Sequence, residues 1–140
     1  MVSKFRAWDK ENSRMVYPST DDVYFELTDD GINILNMSVE PFDDVFPHLD
    51  AVLMQSTSLK DKNGVEIFEG DIVSVRNHPF QKTEKSGAGI EIDGDYAISW
   101  NEGDLTWCAG NLLLARLKPY VTVAGNVWEN PELLEKADES

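Results

Sequence analysis

The sequence predicts a mainly β protein, α+β by strict count, and three observations carry that expectation. Short runs of alternating apolar and polar residues recur along the 140-residue chain, separated by Asp-Gly, Asn-Gly and similar turn signals. The 41% hydrophobic and 10% aromatic content suits a folded soluble domain and is too rich for a disordered chain. Helix signals are confined to one acidic segment and the C-terminal stretch.

Taken in order, KFRAW (4–8) alternates Phe5 and Ala7 against Lys4, Arg6 and Trp8, and RMVY follows after DKENS. This reads as a first hairpin with a long turn. VYFELT and INILNM flank Asp29-Asp30-Gly31, a three-residue connection with glycine placed for the left-handed position. Residues 38–50 hold two prolines and four acids, as a loop or as a short helix over PFDDVF. In the helical case Phe42, Val45 and Phe46, at i, i+3 and i+4, would dock on the core. AVLMQSTSL then resumes an extended pattern.

The densest run of signal is LKDKNGVEIFEGDIVSV, residues 59–75. Asn63-Gly64 predicts a type I′ hairpin turn, which needs positive φ at both central residues. Val65 and Ile67 share a face before Glu69-Gly70-Asp71 interrupts the strand, and Gly70 marks a bulge or bend. Runs such as EGDIV commonly lead into a strand of small SH3-like barrels, a fold-level association. The acids around Asn63-Gly64 also raise a metal-loop question. An EF-hand loop wants oxygen ligands at positions 1, 3, 5 and 12 and glycine at 6. Counted from Asp61, glycine falls at 4, Val65 at 5 and Ile72 at 12, so the register fails and a turn is expected.

Residues 76–89 form a polar loop carrying Arg76, Lys82 and Lys85 against Glu84 alone. IEIDGDYAISW repeats the hairpin pattern around Asp93-Gly94, and ISWNEGDLTWCA does so around Asn101 to Asp104. YVTVAGNVW is a strand. Asn130 as N-cap, Pro131 at the first helical position and Glu132 in the first turn predict a short C-terminal helix.

Composition narrows the function. Twelve basic against 26 acidic residues give a net charge of −14, a surface that repels nucleic-acid phosphate and anionic lipid at long range. The excess is uneven: residues 1–58 and 86–140 each carry −7, while 59–85 is neutral. The excess serves solubility, or lets acid clusters mimic nucleic-acid phosphates toward a basic protein. No apolar run approaches the roughly 20 residues of a membrane span. The N-terminal residues lack the apolar core of a secretory signal, and one cysteine, Cys108, permits no internal disulfide. A bacterial cytoplasmic location is expected, with no membrane partner.

Candidate chemistry is sparse. Glu91, Asp93 and Asp95 alternate, but a turn at Asp93-Gly94 would fan them into water. Cys108 with His48 or His78 has the elements of a nucleophile–base pair, yet TWCAG reads as a strand in which a lone cysteine packs as a small hydrophobe. Two histidines are too few for a zinc site, and no phosphate-binding glycine motif occurs. No catalytic residue, metal or cofactor is therefore expected. Trp100 and Trp107 are candidates to line a peptide-binding aromatic groove, with core packing as the alternative. Lys60, Lys62, Arg76, Lys82 and Lys85, with Phe80, have the composition of a nucleic-acid contact, or of a solvated loop and turn.

KFRAWDKENSRMV (4–16), LMQSTSLKDKNGVEIFEGDIV (53–73) and GNVWENPELL (125–134) together resemble the YopX family, small proteins of phages and prophages in Gram-positive bacteria. The resemblance implies a β-rich N-terminal lobe over 1–58 and an SH3-like barrel with a C-terminal helix over 59–140. It implies a phage or prophage origin and carries over no enzymatic activity, cofactor or catalytic residue. The expected function is a non-enzymatic protein-interaction module whose partner is a host or phage protein or a second copy. The alternatives are an acidic DNA mimic that inhibits a nucleic-acid-binding protein, and direct nucleic-acid binding through the 76–89 loop.

Overall fold

The computed structural model describes residues 4–77 and 92–135. It is mainly β, with eleven strands and two one-turn helices among the described residues, in two compact units divided between Gln55 and Ser56.

In the N-terminal unit, β1 (Phe5–Asp9) is the central strand, paired antiparallel with β2 (Arg14–Val16) and with the first half of β5 (Ala51–Lys60). The expected first hairpin is present, with Asp9 opposite Arg14. Its strict alternation is not: Arg6, Ala7, Trp8 and Asp9 are all buried, because a central strand here is covered on both faces. A two-stranded sheet follows, β3 (Val23–Thr28) against β4 (Gly31–Asn36) in unbroken register. Its loop has two residues rather than three, since Gly31 pairs with Thr28. The Thr28 hydroxyl donates to the Gly31 carbonyl and accepts from the Asp30 amide, holding the turn. Ala7, Val16, Val23, Ile34 and Leu49 form this unit's core.

Residues 41–46 are not helical. Phe42 and Val45 exchange both backbone hydrogen bonds across Asp43 and Asp44, whose φ values are 50° and 62°. Two successive left-handed residues make a tight reversal, and the apolar spacing imitates a helix without forming one. Phe42 and Val45 are consequently exposed rather than docked.

The C-terminal unit opens with the second half of β5 paired to β6 (Glu66–Phe68). The turn between them is not type I′, because Gly64 alone has positive φ, at 84°. Gly64 donates to the Asp61 carbonyl and Asp61 to the Val65 carbonyl, as in a three-residue loop closed by a left-handed glycine. Gly70 supplies the expected bend, entering β7 (Asp71–Val75). Asp93-Gly94 does not turn: Gly94 is the first residue of β8 (Gly94–Asn101) and pairs with Val75. There its missing side chain leaves room for the Tyr96 ring, whose hydroxyl donates to the Ile92 carbonyl.

β9 (Thr106–Ala109), β10 (Leu112–Leu113), α1 (Leu114–Leu117) and a 3-10 turn (Lys118–Tyr120) lead to β11 (Val121–Asn126) and α2 (Glu132–Glu135). The resulting five-stranded sheet has the order β10-β9-β8-β7-β11. It curls at β8, whose first half pairs with β7 and whose second half pairs with β9. Ile67, Val73, Val75, Ile98, Leu114 and Val121 are among the side chains of its core, each fully buried Val or Ile contributing about 1.5–3 kcal/mol.

Candidate functional site

The acid-rich 59–75 run resolves into architecture. Asp61 is buried, and its Oδ1 accepts the amides of Asn63 (2.8 Å) and Val65 (2.9 Å) while Oδ2 accepts that of Val123 (2.9 Å). Burial pushes its pKa up, but the three amides and the Lys62 charge outweigh that and hold it below the ordinary carboxylate value. One carboxylate thus closes its own turn and fastens it to β11. Among the described residues, no group of three or more His, Cys, Asp or Glu is placed to hold a metal ion.

A parallel arrangement, which sequence reading missed, occupies the first hairpin. Asp9 is fully buried; its Oδ1 accepts the amides of Glu11 and Asn12, and its Oδ2 accepts the Asn12 side chain (2.8 Å) and Arg14 Nε (3.1 Å). Arg14 continues to Asp22 at 2.9 Å. Burial again raises the Asp9 pKa, and these donors together bring it below its ordinary value. The signal in the sequence was the Asp-x-x-Asn spacing at a hairpin loop, in which an Asx side chain can collect following amides.

The tryptophan candidates do come together. Trp100 and Trp107 face each other across β8 and β9, ring centroids 5.1 Å apart and planes at 71°, an edge-to-face pair. Trp107 packs against the core, whereas Trp100 is 43% exposed. Beside them the 102–105 loop, fixed by the Asn101 side chain accepting the Asp104 amide, carries Leu105 at 73% exposure.

The basic candidates divide. Lys60 lies exposed opposite Glu66, and Lys62 lies exposed in the Asp61 turn. Arg76 is engaged within the fold: Nη1 donates to the Val75 and Gly94 carbonyls, and Nη2 approaches Asp95 at 3.3 Å. Asp93 accepts the Asn77 amide. Lys82, Lys85, Phe80, His78 and Glu91 lie outside the described residues. Cys108 is buried in β9, and His48 is exposed, its backbone bridging to Leu35.

No helix among the described residues is long and apolar enough to cross a membrane. These features define a small, mainly β protein of two units, in which the buried carboxylates Asp9 and Asp61 organise turns. The chain belongs to the YopX family: residues 4–135 match the family described as YopX protein. Among solved structures it is similar to protein EF1440 from Enterococcus faecalis, at 33% identity over 96% of this chain and 99% of that one, with a TM-score of 0.53. It is similar in fold to protein YopX from Bacillus subtilis, at 20% identity over 93% and 96% of the two chains, with a TM-score of 0.51. No curated protein matches the chain.

Proposed function

We propose that this chain is a non-enzymatic protein-interaction module of a phage or prophage, acting in the host cytoplasm, and that its five-stranded sheet is an SH3-like barrel. The barrel reading is supported by strand order: a four-strand meander, β7 to β10, then a 3-10 turn, then β11 returning beside β7. β8 serves both halves of the curl, as a strand at a barrel corner does.

The interaction reading is carried by the Trp100–Trp107 pair. One ring packs against the core while the other stays 43% exposed. A rigid aromatic braced from behind supplies contact area at low entropic cost, the character of interface anchors. Of the carboxylates that a catalytic reading would draw on, Asp93 accepts the Asn77 amide and Asp95 pairs with Arg76.

Affinity capture of the tagged protein from host lysate, with and without nuclease, tests this. A specific protein retained after nuclease, and lost with Trp100→Ala, is the expected result. Turnover of a substrate in an activity screen, abolished by a point mutation, would overturn it. Recovery of nucleic acid that disappears on nuclease treatment would transfer the function to the 76–89 loop. A captured DNA-binding protein displaced by DNA would favour mimicry by the acidic surface.

A further inference from the structure

Among the described residues most outermost strands have a free side that is short or already bonded, and β3 does not. β2 and β6 have three residues each and β10 has two, too short to template another strand. β11 has six, but a bulge breaks its register between Val123 and Gly125. Its outer groups are also taken: the Val123 amide by Asp61, the Val121 carbonyl by the Lys62 amide, and the Asn126 amide by the Asn130 side chain. The outer side of β4 is covered by residues 47–49, since the Asn36 amide donates to the Pro47 carbonyl and the Leu49 amide to the Ile34 carbonyl.

β3 differs. It is six residues long and without a bulge. The Met37 amide donates to the Asp22 carbonyl, which fixes the phase of the ladder. With a period of two, Tyr24, Glu26 and Thr28 turn their backbone groups toward β4, and Phe25 and Leu27 turn theirs away. Among the described residues no bond is made to that outward side of Phe25 or Leu27. Leu27 is 81% and Tyr24 55% exposed along the same strand.

The flanks specify the occupant. β3 is bracketed by Asp21-Asp22 and Asp29-Asp30. A second β3 paired antiparallel about the strand centre would set each Asp pair against the other, and a parallel copy would set each against itself. Like charges opposite one another destabilise a strand pair, so the acids guard this edge against self-association and favour a strand with basic ends.

We propose that the β3 edge, Val23–Thr28, binds an extended segment of a partner protein by strand addition, the segment alternating in polarity and flanked by Lys or Arg. Backbone hydrogen bonds to Phe25 and Leu27 would hold the strand, and the exposed Asp21, Asp29 and Asp30 would set its register, Asp22 being engaged by Arg14. This rests on the interaction reading above but uses a separate surface. A partner captured through Trp100 with nothing bound at β3 would leave that reading standing and end this one.

The probe is a synthetic nine-residue peptide, Lys-Lys-Thr-Val-Thr-Val-Thr-Lys-Lys, with one control carrying Glu in place of Lys and another N-methylated at alternate backbone amides. Binding is followed by amide NMR and hydrogen exchange on the intact protein. The expected result is exchange at Phe25 and Leu27 slowed at least about tenfold by the basic peptide alone. Leu27→Pro, which removes an outward amide at an exposed edge position, should abolish the effect. Should that variant fail to fold, Asp29→Lys with Asp30→Lys, both exposed, should weaken binding of the basic peptide and narrow its advantage over the Glu-flanked one. An undiminished advantage would overturn the proposal. Equal binding of the N-methylated peptide, no change at Phe25 and Leu27, or protection of those amides by raising protein concentration alone would each overturn the proposal.

Discussion

β3 and β11 are both six-residue strands at a sheet edge, and they meet opposite fates. β11 is sealed from within the chain, by a bulge, by the Asp61 carboxylate and by Asn130. β3 keeps a regular register and presents outward backbone groups between two acidic pairs. Closing an edge requires donors and acceptors brought from elsewhere, so a sealed edge belongs to the fold while a guarded open one is available to a partner. The contrast also separates two uses of aspartate here. Buried Asp61 and Asp9 act through hydrogen bonds, whereas exposed Asp21, Asp29 and Asp30 act through charge.

The largest effect should come from unsealing β11. Asp61→Ala strands three amides, one of them 62 residues away in sequence, and should cost about 3–5 kcal/mol, since a bond to a charged acceptor is worth about 1.5–3 kcal/mol and such losses are not additive. Urea denaturation read by tryptophan fluorescence measures this. Gly125→Ala should cost about 1–3 kcal/mol, because the new Cβ would lie 2.9 Å from that of Asn130, the side chain that caps the bulged end of β11. Full stability after that substitution would mean Asn130 is free to move and the seal is loose.

Acid should act on the same bonds. Asp61 and Asp9 have folded pKa values below the ordinary carboxylate range. A depressed carboxylate contributes stability that is present above the unfolded value of about 3.9 and is lost as pH falls through the folded value. Urea midpoints should therefore decline below about pH 4, and Asp61→Asn should flatten that decline. The smallest effect belongs to the open edge. Leu27→Lys changes an 81% exposed side chain and should shift stability by less than about 0.5 kcal/mol. A larger loss would mean that β3 is covered.

What the sequence disclosed follows how local each interaction is. The first hairpin, the β3–β4 pair, the Gly70 bend and the C-terminal helix were legible, since their signals lie within a few residues. Asn63-Gly64, by contrast, marked a turn of the wrong type and Asp93-Gly94 a turn that does not form. The fastening of Asp61 to Val123 was not, because no local pattern announces a partner so distant. The 41–46 segment misled in part: Phe42, Val45 and Phe46 have helical spacing, yet the chain reverses tightly at the left-handed Asp43-Asp44. Trp100 and Trp107 stand out in the sequence as large aromatics, but their pairing depends on the β8–β9 register. The open edge at β3 depends on sheet order, which no local pattern announces.

Native-state hydrogen exchange on the free protein tests the contrast between the two edges most directly. Along β3, Tyr24, Glu26 and Thr28 should be protected while Phe25 and Leu27 exchange rapidly, and in β11 Val123 should be protected, by its bond to Asp61. Phe25 and Leu27 protected as strongly as Tyr24 and Glu26, or a fast-exchanging Val123, would contradict it.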